Sequence, residues 1–119
     1  MSRLIILAAG LAGAVGVMAA AGASHGESRN LSAIATICLA HGPALLALGL
    51  LGKGRVLTFA GLLLTAGTII FAGDLASREW LNHGLFPGAA PLGGVGMIAG
   101  WLAVTSSGVL DWWKAERFK

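Results

Sequence analysis

Charge is what this sequence has least of. Of its 119 residues only 11% are Asp, Glu, Lys or Arg, against about a quarter in an ordinary soluble domain. Eight basic and five acidic residues leave a net charge of +3. The basic residues form no patch, so nucleic acid is excluded as an expected partner. Cysteine is nearly absent as well. Cys38 stands alone, which rules out an internal disulfide, and its place inside an apolar run reads as a small buried hydrophobe. Also missing are a Gly-rich phosphate loop, a nucleophile–base set, a Rossmann fingerprint and any His/Cys/Asp/Glu pair at zinc spacing. The chain is therefore not expected to be an enzyme, and no cofactor or metal site is expected.

What is present is hydrocarbon. Hydrophobic residues make up 56% of the chain, and the mean hydropathy is +0.83. Leu4 to Ala23 is an apolar run of 20 residues, long enough to cross a hydrocarbon core of about 30 Å at roughly 1.5 Å per residue. Arg3, this run and Ala21-Gly22-Ala23 also resemble a secretory signal, but a signal core is shorter, about 7–15 residues, so the run is read as a span. Ile34 to Leu51, Val56 to Gly73 and Leu92 to Leu110 supply three more spans. Pro43 predicts a kink in the second, since it removes a backbone donor and crowds the preceding turn. The turn Gly52-Lys53-Gly54-Arg55 is short enough to force an antiparallel hairpin. Asp74 is read as the end of the third span. The break from Asp74 to Pro91 is read as a short interfacial helix with Leu75, Leu81 and Leu85 on one side, then a Phe86-Pro87-Gly88 turn. Trp112, Trp113 and Phe118, set among Lys114, Arg117 and Lys119, belong in a headgroup belt. The expected fold is an all-α membrane protein, a four-transmembrane-helix antiparallel bundle, forming a single membrane domain over 1–119.

Four spans put both termini on one side. That side, from the basic start Met1-Ser2-Arg3 onward, carries Arg3, Lys53, Arg55, Lys114, Arg117 and Lys119; the other carries Arg29 and Arg78. The positive-inside rule then predicts cytoplasmic termini. The 19 glycines would weaken helices in water. In lipid they let helix backbones approach one another. Small residues recur at three and four residues on each span: Ala9, Gly13, Gly16, Ala20 and Ala23; Ala40, Ala44 and Ala47; Thr58, Gly61, Thr65, Thr68 and Ala72; Gly93, Gly96, Gly100, Ala103 and Ser107. Gly13, Gly16, Gly61, Gly93, Gly96 and Gly100 are the expected helix-packing glycines.

The candidate polar or ligand site comprises His25, His41 and Asp74, with His83 in the loop nearby. All four fall in the half of the bundle away from the termini. His41 is the most informative, because a polar side chain within a span is costly and faces the bundle interior. Counted from Ile34 it lies about 10 Å below the start of its span. The simplest reading is a neutral imidazole bonded to a threonine, to a carbonyl freed near Pro43, or to Asp74. A proton relay and a metal or haem ligand are the alternatives. Asp74 with Arg78 is read as a solvated i,i+4 pair.

Several short pieces carry a resemblance. They are Gly22-Ala23-Ser24-His25-Gly26, His41 followed by Ala44-Leu45-Leu46-Ala47-Leu48, Phe71-Ala72-Gly73, and Pro91-Leu92-Gly93-Gly94 with Gly100-Trp101. In their order and spacing the chain resembles the YgdD-like family of small inner-membrane proteins (domain of unknown function 423). The resemblance implies four membrane helices and a place in the bacterial inner (cell) membrane, and it brings no activity. Ser24, Gly42-Pro43 and Asp74 depart from the family's usual residues. The function expected is a non-catalytic structural or accessory subunit. Its partners would be the lipid bilayer and other membrane-protein subunits or a second copy of itself. A small oligomeric transporter or channel, and a histidine-based cofactor-binding electron-transfer subunit, are the competing readings.

Overall fold

In the computed structural model, residues 2–118 are described; Met1 and Lys119, both named above on the terminal side, lie outside the described residues. Four helices follow one another: α1 (Ser2–Ser24), α2 (Arg29–Leu51), α3 (Arg55–Leu81) and α4 (Ala89–Arg117). Each is long and apolar enough to cross a membrane, because each apolar run reaches the span length and is broken only at its ends. The chain is an all-α integral membrane protein, a four-helix bundle.

The helices outrun the apolar runs that predicted them. α2 begins at Arg29 because Ser28 caps it: the Ser28 hydroxyl accepts the Leu31 N–H at 3.1 Å. It continues unbroken through Pro43. α3 does not stop at Asp74. It runs two further turns to Leu81 and ends where Asn82 turns left-handed (φ 61°). The separate interfacial helix expected after Asp74 is thus the end of α3, since polar residues at the membrane edge can continue a helix already begun. α4 starts at Ala89, after Gly88 at φ 83°, a conformation glycine adopts without the Cβ penalty. Pro91 falls in the first turn, where its missing N–H leaves no bond unmade.

The bundle is two antiparallel hairpins lying side by side. In the first, a Cβ on Gly16 would meet Leu39 at 2.8 Å, one on Gly42 would meet the backbone of Gly13 at 3.2 Å, and one on Gly49 would meet Ile6 at 2.6 Å. In the second, a Cβ on Gly67 would lie 2.7 Å from the Gly93 carbonyl. One on Gly93 would lie 2.7 Å from the Phe71 nitrogen, and one on Gly100 2.7 Å from Leu64. The hairpins meet along α2 and α3, and lightly where Ile5 of α1 covers Gly61. Leu45 and Leu64 are fully buried there, with Ile5, Ala9 and Met97 around them. Among the expected packing glycines, Gly16, Gly61, Gly93 and Gly100 stand at close approaches. Gly96 is in ordinary contact with Gly67 at 3.5 Å. Gly13 offers its backbone to Gly42, while a Cβ of its own would meet nothing.

Candidate functional site

His41 lies twelve residues into α2, about 18 Å along it. That is mid-span, deeper than the position counted from Ile34, because the capped start adds more than a turn. Trp101 lies twelve residues into α4, at the same level. The Trp101 indole N–H donates to His41 Nε2 at 3.0 Å, and His41 Nδ1 is 2.8 Å from the Ile37 carbonyl. The rings meet edge to face, 5.6 Å apart at 65°. An indole can only donate and a carbonyl can only accept. Nε2 is therefore a bare acceptor and Nδ1 carries the hydrogen. His41 is neutral in one tautomer, with both nitrogens engaged and the ring buried.

None of the bonding partners weighed for His41 in the sequence is the one found. Asp74, the threonines and the carbonyl that Pro43 frees (that of Leu39) give way to Ile37 one turn back and to Trp101 from the other hairpin. Trp101 had a signal of its own. Trp80, Trp112 and Trp113 sit near helix ends, whereas Trp101 stands at mid-span, and an indole N–H at the depth of hydrocarbon, away from water, needs an acceptor.

Asp74 forms a second polar centre. Its carboxylate is completely buried. Oδ2 accepts from Arg78 Nε at 2.9 Å and Oδ1 from the Leu85 N–H at 2.9 Å. The expected solvated pair is thus only half solvated: the loop after α3 folds back over the carboxylate, while the Arg78 side chain stays 49% exposed. Gly84 makes that cover possible: a Cβ there would lie 2.5 Å from Asp74 Oδ1. Ser77 fastens the same loop by donating to the His83 carbonyl at 2.6 Å. One turn on, Glu79 accepts from Ser28 at 2.5 Å and from Asn30, so the α1–α2 loop is tied to the end of α3. Neither Glu79 nor Ser28 stood out in the sequence, since one more acid and one more serine in a polar break carry no pairing signal.

The structure does not bring His25, His41 and Asp74 together. His25 is exposed in the turn after α1. His41 is at mid-span, and Asp74 is closed within its own loop. His83 is exposed, with Nδ1 2.9 Å from the Gly84 carbonyl.

The profile of a family described as protein of unknown function (DUF423) matches residues 12–94. The matched stretch holds His25, His41 and Asp74 and stops short of Trp101. Comparison with curated proteins and with solved structures finds no match.

Proposed function

The chain belongs to the DUF423 family, and from that premise we propose that it is a non-catalytic accessory subunit packed against a larger membrane complex. The observation that carries this reading is α4. Its backbone lies along α3 only, it reaches the other hairpin through the Met97 and Trp101 side chains, and only 17% of its span is buried, against 28%, 39% and 33% in α1, α2 and α3. On its outer face Gly94, Ile98, Leu102, Thr105 and Gly108 recur at helical spacing, and a Cβ on Gly94 or Gly108 would meet nothing within 4 Å. Such a face admits the close approach of another helix. The internal polar groups also favour this reading over a transport path or a histidine-held cofactor. His41 has both nitrogens engaged, the Asp74 carboxylate is covered, and His25 is exposed in the turn after α1.

The membrane proposed is a bacterial inner membrane, with cytoplasmic termini, and the charge distribution supports that sidedness. Arg3, Lys53, Arg55, Lys114 and Arg117 lie at the terminal end, and Arg29 and Arg78 at the other. The test is to solubilise native membranes gently and follow the protein. A larger assembly with an enriched partner is expected, and replacing both Gly94 and Gly108 with Leu should release that partner without disturbing the fold. Migration as a bare 12.0 kDa chain with nothing enriched would refute the proposal.

A further inference from the structure

Because helix directions alternate, α1 and α3 run parallel. They touch where Ile5 covers Gly61, and from there toward the loop end a crevice opens between them. Ala8, Ala12 and Val15 line one wall, Thr65, Thr68 and Ala72 the other, with a volume of about 280 Å³. Through Val15, Ala72 and Ala76 it joins a second cavity of about 460 Å³ that reaches Gly22 and Trp80. From Ala8 to Gly22 the crevice extends for about 21 Å, with its open end beside a tryptophan of the membrane edge.

The threonines set this crevice apart. The chain has five. Thr36, Thr58 and Thr105 each donate to the carbonyl four residues back. Thr65 and Thr68, only 8% and 5% exposed, are the two that line the crevice, and among the described residues neither hydroxyl has a hydrogen-bond partner. A buried hydroxyl without a partner is costly, and here two stand one turn apart on one wall. Both residues line the crevice, and helical threonine has two accessible χ1 positions, so a ligand there can select the one that presents the hydroxyl to it.

We propose that the crevice binds a lipophilic carbonyl compound of the quinone class, its carbonyls accepting from Thr65 and Thr68 and its hydrocarbon tail running toward Trp80. Depth decides against a phospholipid. Thr65 and Thr68 lie about 15–20 Å along α3, in the middle of a core about 30 Å thick, whereas a phospholipid keeps its esters at the edge. The site requires an uncharged acceptor that enters hydrocarbon. This inference rests on the membrane fold alone and stands whether or not the protein is a subunit.

The experiment measures thermal unfolding of the purified full chain in detergent with a decyl-substituted benzoquinone. Decylbenzene, which has the same tail and no carbonyl, is the control. The quinone should raise the midpoint saturably and decylbenzene should not. The double variant Thr65→Val, Thr68→Val keeps the shape of the wall. It should unfold no earlier than the parent without probe, and should bind the quinone about tenfold more weakly. Ala72→Phe, which fills the crevice, should abolish the response. Equal stabilisation by decylbenzene would make this a groove for any hydrocarbon chain and overturn the proposal, as would unchanged quinone affinity in the double variant.

Discussion

The seams inside the two hairpins and the seam between them are built from different materials. Within a hairpin, glycines let the helices close. A Cβ on Gly42 would meet the Gly13 backbone at 3.2 Å, and a Cβ on Gly67 or on Gly93 would fall within 2.8 Å of the other's carbonyl, too close for any side chain. Between hairpins the ties are side chains at three levels: Ile5 over Gly61, Trp101 to His41, and Ser28 to Glu79. The first kind of seam depends on the absence of atoms and tolerates no addition. The second depends on particular atoms and tolerates the loss of any one. A bilayer gives no hydrophobic force between helices, so shape closes each hairpin, and directional bonds then register one hairpin against the other.

The sharpest way to break this contrast is at the glycines. Gly67→Leu or Gly93→Leu should cost about 3 kcal/mol or more, since overpacking against backbone leaves nothing that can yield. Thermal unfolding should show a collapsed midpoint or no folded protein. Gly94→Leu on the open face should leave the midpoint unchanged, and an equal effect at Gly93 and Gly94 would refute the seam. Next comes Asp74→Ala, which strands the Leu85 N–H and the Arg78 guanidinium. The midpoint should fall clearly, with Asp74→Asn intermediate because an amide oxygen still accepts from Leu85; proteolysis of the loop after α3 should rise in parallel. Ser28→Ala removes the cap of α2 and the tie to Glu79 together. About 1 kcal/mol is expected from the cap, and Glu79→Gln, which spares the cap, should cost less. The smallest effect belongs to Trp101→Phe, which keeps an aromatic ring and loses one hydrogen bond. Within a membrane that is about 0.6 kcal/mol, while the His41 Nε2 resonance should move measurably in a nitrogen NMR spectrum. No shift there would remove the Trp101–His41 bond from the comparison.

The four helices were legible because lipid imposes a length. A run such as Leu4 to Ala23 is apolar throughout, and the charges fall only at its ends. What a run does not reveal is how far the helix continues into polar sequence. Asp74 and Ile34 look like boundaries by hydropathy, yet α3 runs past the first to Leu81 and α2 begins before the second at Arg29, because capping and loop contacts decide helix ends. The small-residue stripes were also only partly informative. On α4, Gly93 and Gly100 do form the seam. On α3, the stripe through Gly61, Thr65 and Thr68 faces α1 and the crevice, while α4 is met by Gly67, which no stripe included. Spacing shows that a face is small; it does not say which neighbour the face meets. His41 was visible as a polar residue at depth, but its link to Trp101 joins residues 60 apart in sequence, and no local pattern encodes that pairing.

The Asp74–Arg78 pair has a further consequence for biogenesis. With the termini on the side of synthesis, as proposed, the α3–α4 loop has to cross the bilayer. A lone acid or base at the centre of a span costs about 2.5–3.5 kcal/mol on the insertion scale. Asp74 and Arg78 lie one turn apart on a single helix, so they can neutralise each other as soon as that turn forms, before α4 exists to pack against it. The two charges then cross as one dipole, and Leu85 closes over the carboxylate only on arrival. The pair that lies beneath the loop of the finished bundle thus also eases that loop's passage through the membrane.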